Sequence, residues 1–222
     1  MKKTIIPCSL ALLSALPASA GIIYFDVNNL VIPNDFDGVY VNIVTGATSN
    51  DVDLVTFNSG PWINLYQGGT AIAASEMLHP WNNQSSGYNG STAGNFFVNV
   101  KPGSSIGTTG VVDPIDGALT GSFTTGESAS EFHIGSSTYQ FVSGETGYLA
   151  FAYEHSSIGS GTAYGWFSFT PTVGGSGVGL AFARSDTPGE SLLAAAVPEP
   201  STYSVLVGGM VLGLAVLKRR RS

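Results

Sequence analysis

Across residues 21–197 the apolar side chains recur at every second position in short runs. Glycine, asparagine and proline punctuate those runs, and no stripe of period 3.6 appears. Such a chain buries one face of each extended run, which leads to antiparallel sheets rather than packed helices. Residues 22–27, 39–44, 52–57, 62–66 and 70–73 read as strands, and 76–94 as a polar loop with a short strand near Trp81. Residues 95–100 carry Phe96, Val98 and Val100 on one face, and 106–112 and 121–124 are shorter candidates. In the second half, 131–134 and 137–142 flank the tight pair Gly135-Ser136, a two-residue hairpin signal. Runs 148–153 and 163–170 flank the loop 154–161. Run 178–184 follows with Val178, Leu180 and Phe182 inward, and 192–196 is a last edge strand. Short strands at this spacing predict an all-β, antiparallel β-sandwich of jelly-roll-like topology. No repeat of 20–50 residues is present, which argues against a solenoid.

Both ends depart from this pattern. Met1-Lys2-Lys3 is a positive start, residues 4–16 are apolar, and Ala18-Ser19-Ala20 is a small-x-small cleavage site before Gly21. Residues 1–20 therefore read as a signal peptide, the substrate of the Sec translocon and signal peptidase. Cys8, the chain's single cysteine, lies within it, so the mature body has no disulfide or thiolate chemistry. At the other end, Pro198-Glu199-Pro200 precedes 201–217, which holds no charged residue, and then Lys218-Arg219-Arg220-Arg221. The prolines stop any preceding strand. The apolar run reaches roughly 25 Å as a helix, slightly short of a ~30 Å hydrocarbon core, and snorkelling cations make up the difference. The four cations favour the cytoplasmic side, which places residues 21–197 outside.

This three-part tail resembles the PEP-CTERM sorting signal of Gram-negative bacteria, a signature also named for ice-binding proteins that carry it. The resemblance implies that an exosortase, a membrane-embedded transpeptidase-type cysteine enzyme, processes the tail near the tripeptide. Pro198, Glu199 and Pro200 then form the recognition motif, and Lys218, Arg219, Arg220 and Arg221 hold the segment in the membrane. It also implies an exported precursor, anchored transiently in the inner membrane and then released or passed to the cell surface or extracellular matrix. Within the body, Tyr148-Leu149-Ala150-Phe151, Tyr164-Gly165-Trp166-Phe167 and the Thr187-Pro188-Gly189 turn resemble a body type that recurs among such proteins. That likeness implies a β-sandwich and no particular activity.

The 177 residues of the body suffice for one domain with its own core. Only Lys101 and Arg184 are basic there, against fourteen Asp and Glu, a net charge of −12. Such a surface repels phosphate backbones, so nucleic acid is not an expected partner. Gly103-Ser104-Ser105-Ile106-Gly107 matches Gly-x-Ser-x-Gly, but turn and strand signals follow it where a nucleophile elbow needs a helix. His79, His133 and His155 lack paired zinc-ligand spacing. The Asn-Asp clusters at 34–38 and 50–53 miss the EF-hand ligand pattern and suit Asx-turns. Glu131 and Glu154 are the carboxylates a glycosidase would have to bring together. Neither enzyme activity, metal nor cofactor is expected. The expected function is that of a structural or interaction protein of the matrix. The alternative is binding of exopolysaccharide by Trp81 and Tyr88, aromatics in the polar loop that suit stacking on sugar rings.

Overall fold

The computed structural model describes residues 21–69, 71–83, 96–119, 121–123, 130–131, 139–172 and 176–197. Residues 1–20 with Ala18 and Ala20, residues 198–222 with the whole sorting tail, and Tyr88 and His133 lie outside the described residues. The strands, in chain order, are β1 (Ile22–Ile32), β2 (Val39–Asn42), β3 (Thr48–Ser49), β4 (Trp62–Tyr66), β5 (Ala71–Ala74) and β6 (Leu78–Asn83). Then come β7 (Phe96–Phe97), β8 (Ser105–Gly107), β9 (Gly110–Asp113), β10 (Gly117–Ala118), β11 (Ser122–Phe123) and β12 (Ser130–Glu131). The last four are β13 (Gly147–Tyr153), β14 (Ala163–Thr170), β15 (Gly177–Ser185) and β16 (Leu192–Leu193).

Pairing is antiparallel throughout the described residues. A seven-stranded sheet runs β1-β15-β14-β13-β6-β11, with β7 also on β6. A five-stranded sheet runs β12-β5-β4-β2-β3, and a four-stranded one β10-β9-β8-β16. The all-β expectation holds. Among the described residues no helix is long and apolar enough to cross a membrane.

The seven-stranded sheet is buried on both faces, which explains why 148–153 and 163–170 are nearly continuous apolar runs. On one face Leu149, Phe151, Tyr153, Phe167, Phe169 and Phe182 form a cluster with Val39, Val41, Ile63, Leu65 and Ile72 of the five-stranded sheet. On the other, Ala150, Ala152, Ala181 and Ala183 surround Tyr164 and Trp166 and meet Ile106, Val111 and Leu192 of the four-stranded sheet. Large side chains thus fill one side and small ones let the second layer approach. Gly165 belongs to this fit: a Cβ there would overlap the Phe151 ring.

One cation crosses the first core. Arg184, 5% exposed, donates from Nε to the Ile43 carbonyl (3.0 Å) and from Nη2 to that of Val44 (3.1 Å). Its Nη1 donates to the Tyr153 hydroxyl (3.1 Å), which in turn donates to the Ser185 carbonyl (2.6 Å). Burial holds the Tyr153 hydroxyl above its ordinary pKa, against the opposing charge of Arg184. The guanidinium therefore ties β15 to the turn after β2, using its fork to satisfy carbonyls that no strand reaches.

Two sequence expectations are corrected. Residues 52–57 are not a strand: Asp53 caps a single helical turn, Leu54–Asn58, its Oδ1 accepting the Thr56 N–H at 2.7 Å. Leu54 and Val55 stay exposed, and Phe57 alone of the run is buried, edge-on to Tyr40 at 5.5 Å. In β15 only Phe182 of the three expected residues is fully buried in the large-residue core. An irregularity at Leu180 shifts the alternation, because Ser168 pairs with Ala181 but Phe169 with Gly179.

Replacing Arg184 by Met should destabilise the fold by about 3 kcal/mol or more, since each acceptor left unpaired in the interior costs about 1–3 kcal/mol. For a domain of this size that lowers the melting temperature by roughly 6–12 °C. Arg184→Lys should recover only part of the loss, because one ammonium cannot span three acceptors. Thermal unfolding followed by circular dichroism reads both values.

Candidate functional site

Two adjoining irregularities in the seven-stranded sheet open a groove. In β1, Asp26 lies opposite Ala181 but Leu30 opposite Gly179, so three residues on β1 face the single Leu180. Asn29 absorbs the extra length in the left-handed region (φ 61°), which asparagine tolerates better than most residues. Bulges of this kind re-aim side chains, and Leu180, displaced from its expected face, lines the groove.

Three aromatic rings form the wall. Trp166 stands between Tyr24, tilted at 56° with centroids 6.2 Å apart, and Tyr148, edge-on at 73° and 5.6 Å. Asp26, Asn29 and Thr146 add polar groups along it. The groove has a volume of about 350 Å³, at the lower end of small-molecule sites (about 300–1,000 Å³). Tyr148 is held by its backbone: its N–H donates to Asn99 Oδ1 (2.9 Å), and Asn99 Nδ2 donates to the Gln140 carbonyl (3.2 Å). Ser168 pins the bulge, its hydroxyl donating to the Ala181 carbonyl (3.0 Å) and accepting the Ala181 N–H (3.1 Å). Burial, then the charge of Asp26, keeps the Tyr24 hydroxyl above its usual pKa and hence a donor. Trp166 is 2% exposed, and its indole N–H has no hydrogen-bond partner among the described residues. Ala195 and Val197 border the groove, so it lies where the tail begins.

Trp81 does not play the part expected of it. It is 3% exposed, packed edge-on to Phe123 (4.8 Å, 71°) and against Gly110 and Gly121. No ring face is left open to a sugar. Trp81 sits on β6, the short strand expected near it, but that strand pairs with β11 and turns the ring into the small-residue core. Sequence reading missed the groove, for which the local signals were Asn28-Asn29 inside an apolar run and the Tyr164-Gly165-Trp166 strand.

A second hollow of about 430 Å³ brings together residues that are distant in sequence: Glu76, His79, Glu154 and His155. Two of these have local structural tasks. His155 caps a short 3₁₀ turn, Nδ1 accepting the Ser157 N–H at 3.1 Å. Glu154 accepts from the Thr162 hydroxyl at 3.1 Å across the loop. Among the described residues no three His, Cys, Asp or Glu side chains are grouped to hold a metal ion. Glu131 is on β12 at the edge of the five-stranded sheet, whereas Glu154 follows β13 in the seven-stranded one. Ser105 lies on β8 and the chain turns straight into β9, with no helix after it. The Asn-Asp clusters make turns and caps, Asp35 Oδ1 accepting the Gly38 N–H at 2.9 Å and Asp53 capping the helical turn.

Outside the groove, Asp116 accepts from the Tyr139 hydroxyl (2.5 Å) and pairs with Lys101 (3.4 Å), whose ammonium lies 4.8 Å from the Tyr139 ring centre. No protein-family model, curated protein or solved structure matches the chain.

The Tyr139 hydrogen bond, with Lys101 beside it, holds the Asp116 carboxyl below its ordinary pKa. A depressed folded-state pKa stabilises above the unfolded value, and that contribution is lost as pH falls through the folded value. Tyr139→Phe should therefore move the Asp116 titration up toward the ordinary carboxylate range. Side-chain carboxyl NMR against pH measures it.

Proposed function

We propose that the chain is an exported bacterial surface or extracellular-matrix protein, sorted by an exosortase through its C-terminal tail. One observation carries this reading: Pro198-Glu199-Pro200, the uncharged run 201–217 and the cations 218–221 occur in that order. The physical sequence is export, arrest of the apolar run in the inner membrane, and processing at an extended tripeptide that stays outside. Packing at Gly21 supports cleavage after Ala20. Asp186 donates its N–H to the Gly21 carbonyl at 3.0 Å, and a side chain at 21 would collide with the Asp186 carboxylate. β1 starts one residue later, so cleavage there leaves the new ammonium beside that carboxylate. The body we read as a non-catalytic β-sandwich of jelly-roll type. Support comes from the hydrophobic cluster that the seven- and five-stranded sheets share.

A second reading, glycan binding, is favoured by the groove with its three aromatic rings and fringe of polar groups. It moves the expected contact away from Trp81 and onto the outer end of β1, β13 and β14.

Replacing Glu199 by Ala should leave the tail attached. Mass spectrometry of the mature protein from its own host should then find Arg221 in the variant and not in the parent. Normal-length mature variant would count against the motif.

A further inference from the structure

We infer that the groove between β1, β13 and β14 takes an amine-bearing sugar ring, such as a hexosamine unit of a polysaccharide. The inference rests on the glycan reading above and names the class of sugar. Four observations converge. The first is the aromatic wall: the half-buried Tyr24 and Tyr148 pack at 56° and 73° against the buried Trp166, so a ligand meets two phenol rings set at different angles. Aromatic faces set around a space attract both the C–H surface of a pyranose and a cation.

Charge is the second. Asp26 is the one charged residue among the described residues lining the groove, and the body as a whole carries −12. A uronate or sulfated sugar would meet repulsion at that carboxylate and in the surrounding field, whereas a protonated amine would be attracted by both. Third, Trp166 keeps a buried N–H with no hydrogen-bond partner among the described residues. A donor left unpaired in the interior is costly, and this one belongs to a ring that lines the groove. Fourth, the groove is built rather than incidental. It depends on the facing irregularities at residues 27–29 and Leu180, and the Ser168 hydroxyl locks that geometry with two hydrogen bonds. A regular β1–β15 pair would put Leu180 on the face of Phe182 and leave this side flat.

The roles divide accordingly. Tyr24 and Tyr148 contact the ring, Asp26 selects the amine, and Trp166 sets the angle of both tyrosines. A neutral sugar retains the ring contacts and loses the amine, so it should bind more weakly. An acidic sugar should bind least.

The test is titration calorimetry of the full-length chain in detergent micelles with three oligosaccharides of equal length: glucosamine, glucose and glucuronate oligomers. We expect saturable binding in that order of affinity, with the glucosamine oligomer at least tenfold above the glucuronate oligomer at low salt. Tyr24→Ala should weaken the glucosamine and glucose oligomers alike, by tenfold or more. Asp26→Asn should bring the glucosamine oligomer down to the glucose value while leaving the latter within twofold. Circular dichroism melting of each variant separates loss of binding from loss of fold, and Tyr24→Phe, which keeps the ring, should bind within threefold of the parent. Binding of neutral or amine-bearing oligomers that ignores both substitutions would overturn the groove assignment and leave the glycan reading standing. Preference for the glucuronate oligomer would overturn the charge selection. No binding of any of the three would remove both the inference and the glycan reading. Binding of tetramethylammonium at the groove without any of the sugars would show a cation site only, and would also overturn it.

Discussion

A single guanidinium holds the two largest sheets in place. Arg184 is charged, almost fully buried and paired with two carbonyls and a phenol. Burying a cation is costly unless every donor finds an acceptor. Here the cost is offset because Ile43 and Val44 sit in a turn whose carbonyls would otherwise face an apolar interior. The interaction is therefore reciprocal: the turn after β2 gives two carbonyls to the cation, and the cation is tolerated where that turn presents them. Tyr153 extends the network to Ser185, so β13, β15 and the turn after β2 are tied together.

From that anchor the rest of the layering follows. The face of the seven-stranded sheet that carries Arg184 is also the face with the phenylalanines, and stacked contacts such as Phe25 with Phe182 at 4.6 Å fill the space around it. On the opposite face four alanines allow β8, β9 and β16 to approach beside Trp81, Tyr164 and Trp166. The packing opens into the groove at Trp166. The bulges in β1 and β15 keep that space from closing. The layering and the groove thus share one cause.

Two hollows compete for attention, and their chemistry differs. The one near His155 gathers four titratable groups, but its loop residues already serve as a cap and a cross-loop hydrogen bond. The groove beside Tyr24 has the opposite character: a buried indole N–H with no partner among the described residues, and two half-buried phenol rings along its lining. Unsatisfied capacity is what a ligand can exploit, whereas satisfied groups resist recruitment.

The amino-acid sequence alone determined the all-β class, most strand positions in the second half, and the two atypical ends, because period-two burial and charge-free runs are local properties. β14 coincides with the apolar run 163–170, and β13 and β15 differ from their expected bounds by a residue. Three outcomes depended on tertiary structure. Asp53 turned an apolar run into a helical turn, since no partner strand was there to claim it. Arg184, one of two cations in a strongly acidic body, gave no sign of burial, because its partners are backbone carbonyls 140 and 141 residues away. The groove arises from register offsets between strands that begin more than 150 residues apart, together with the packing of Trp166 between two tyrosines. Periodicity tells each strand which face to bury, but a bulge is a mismatch between two strands, and neither strand encodes it by itself.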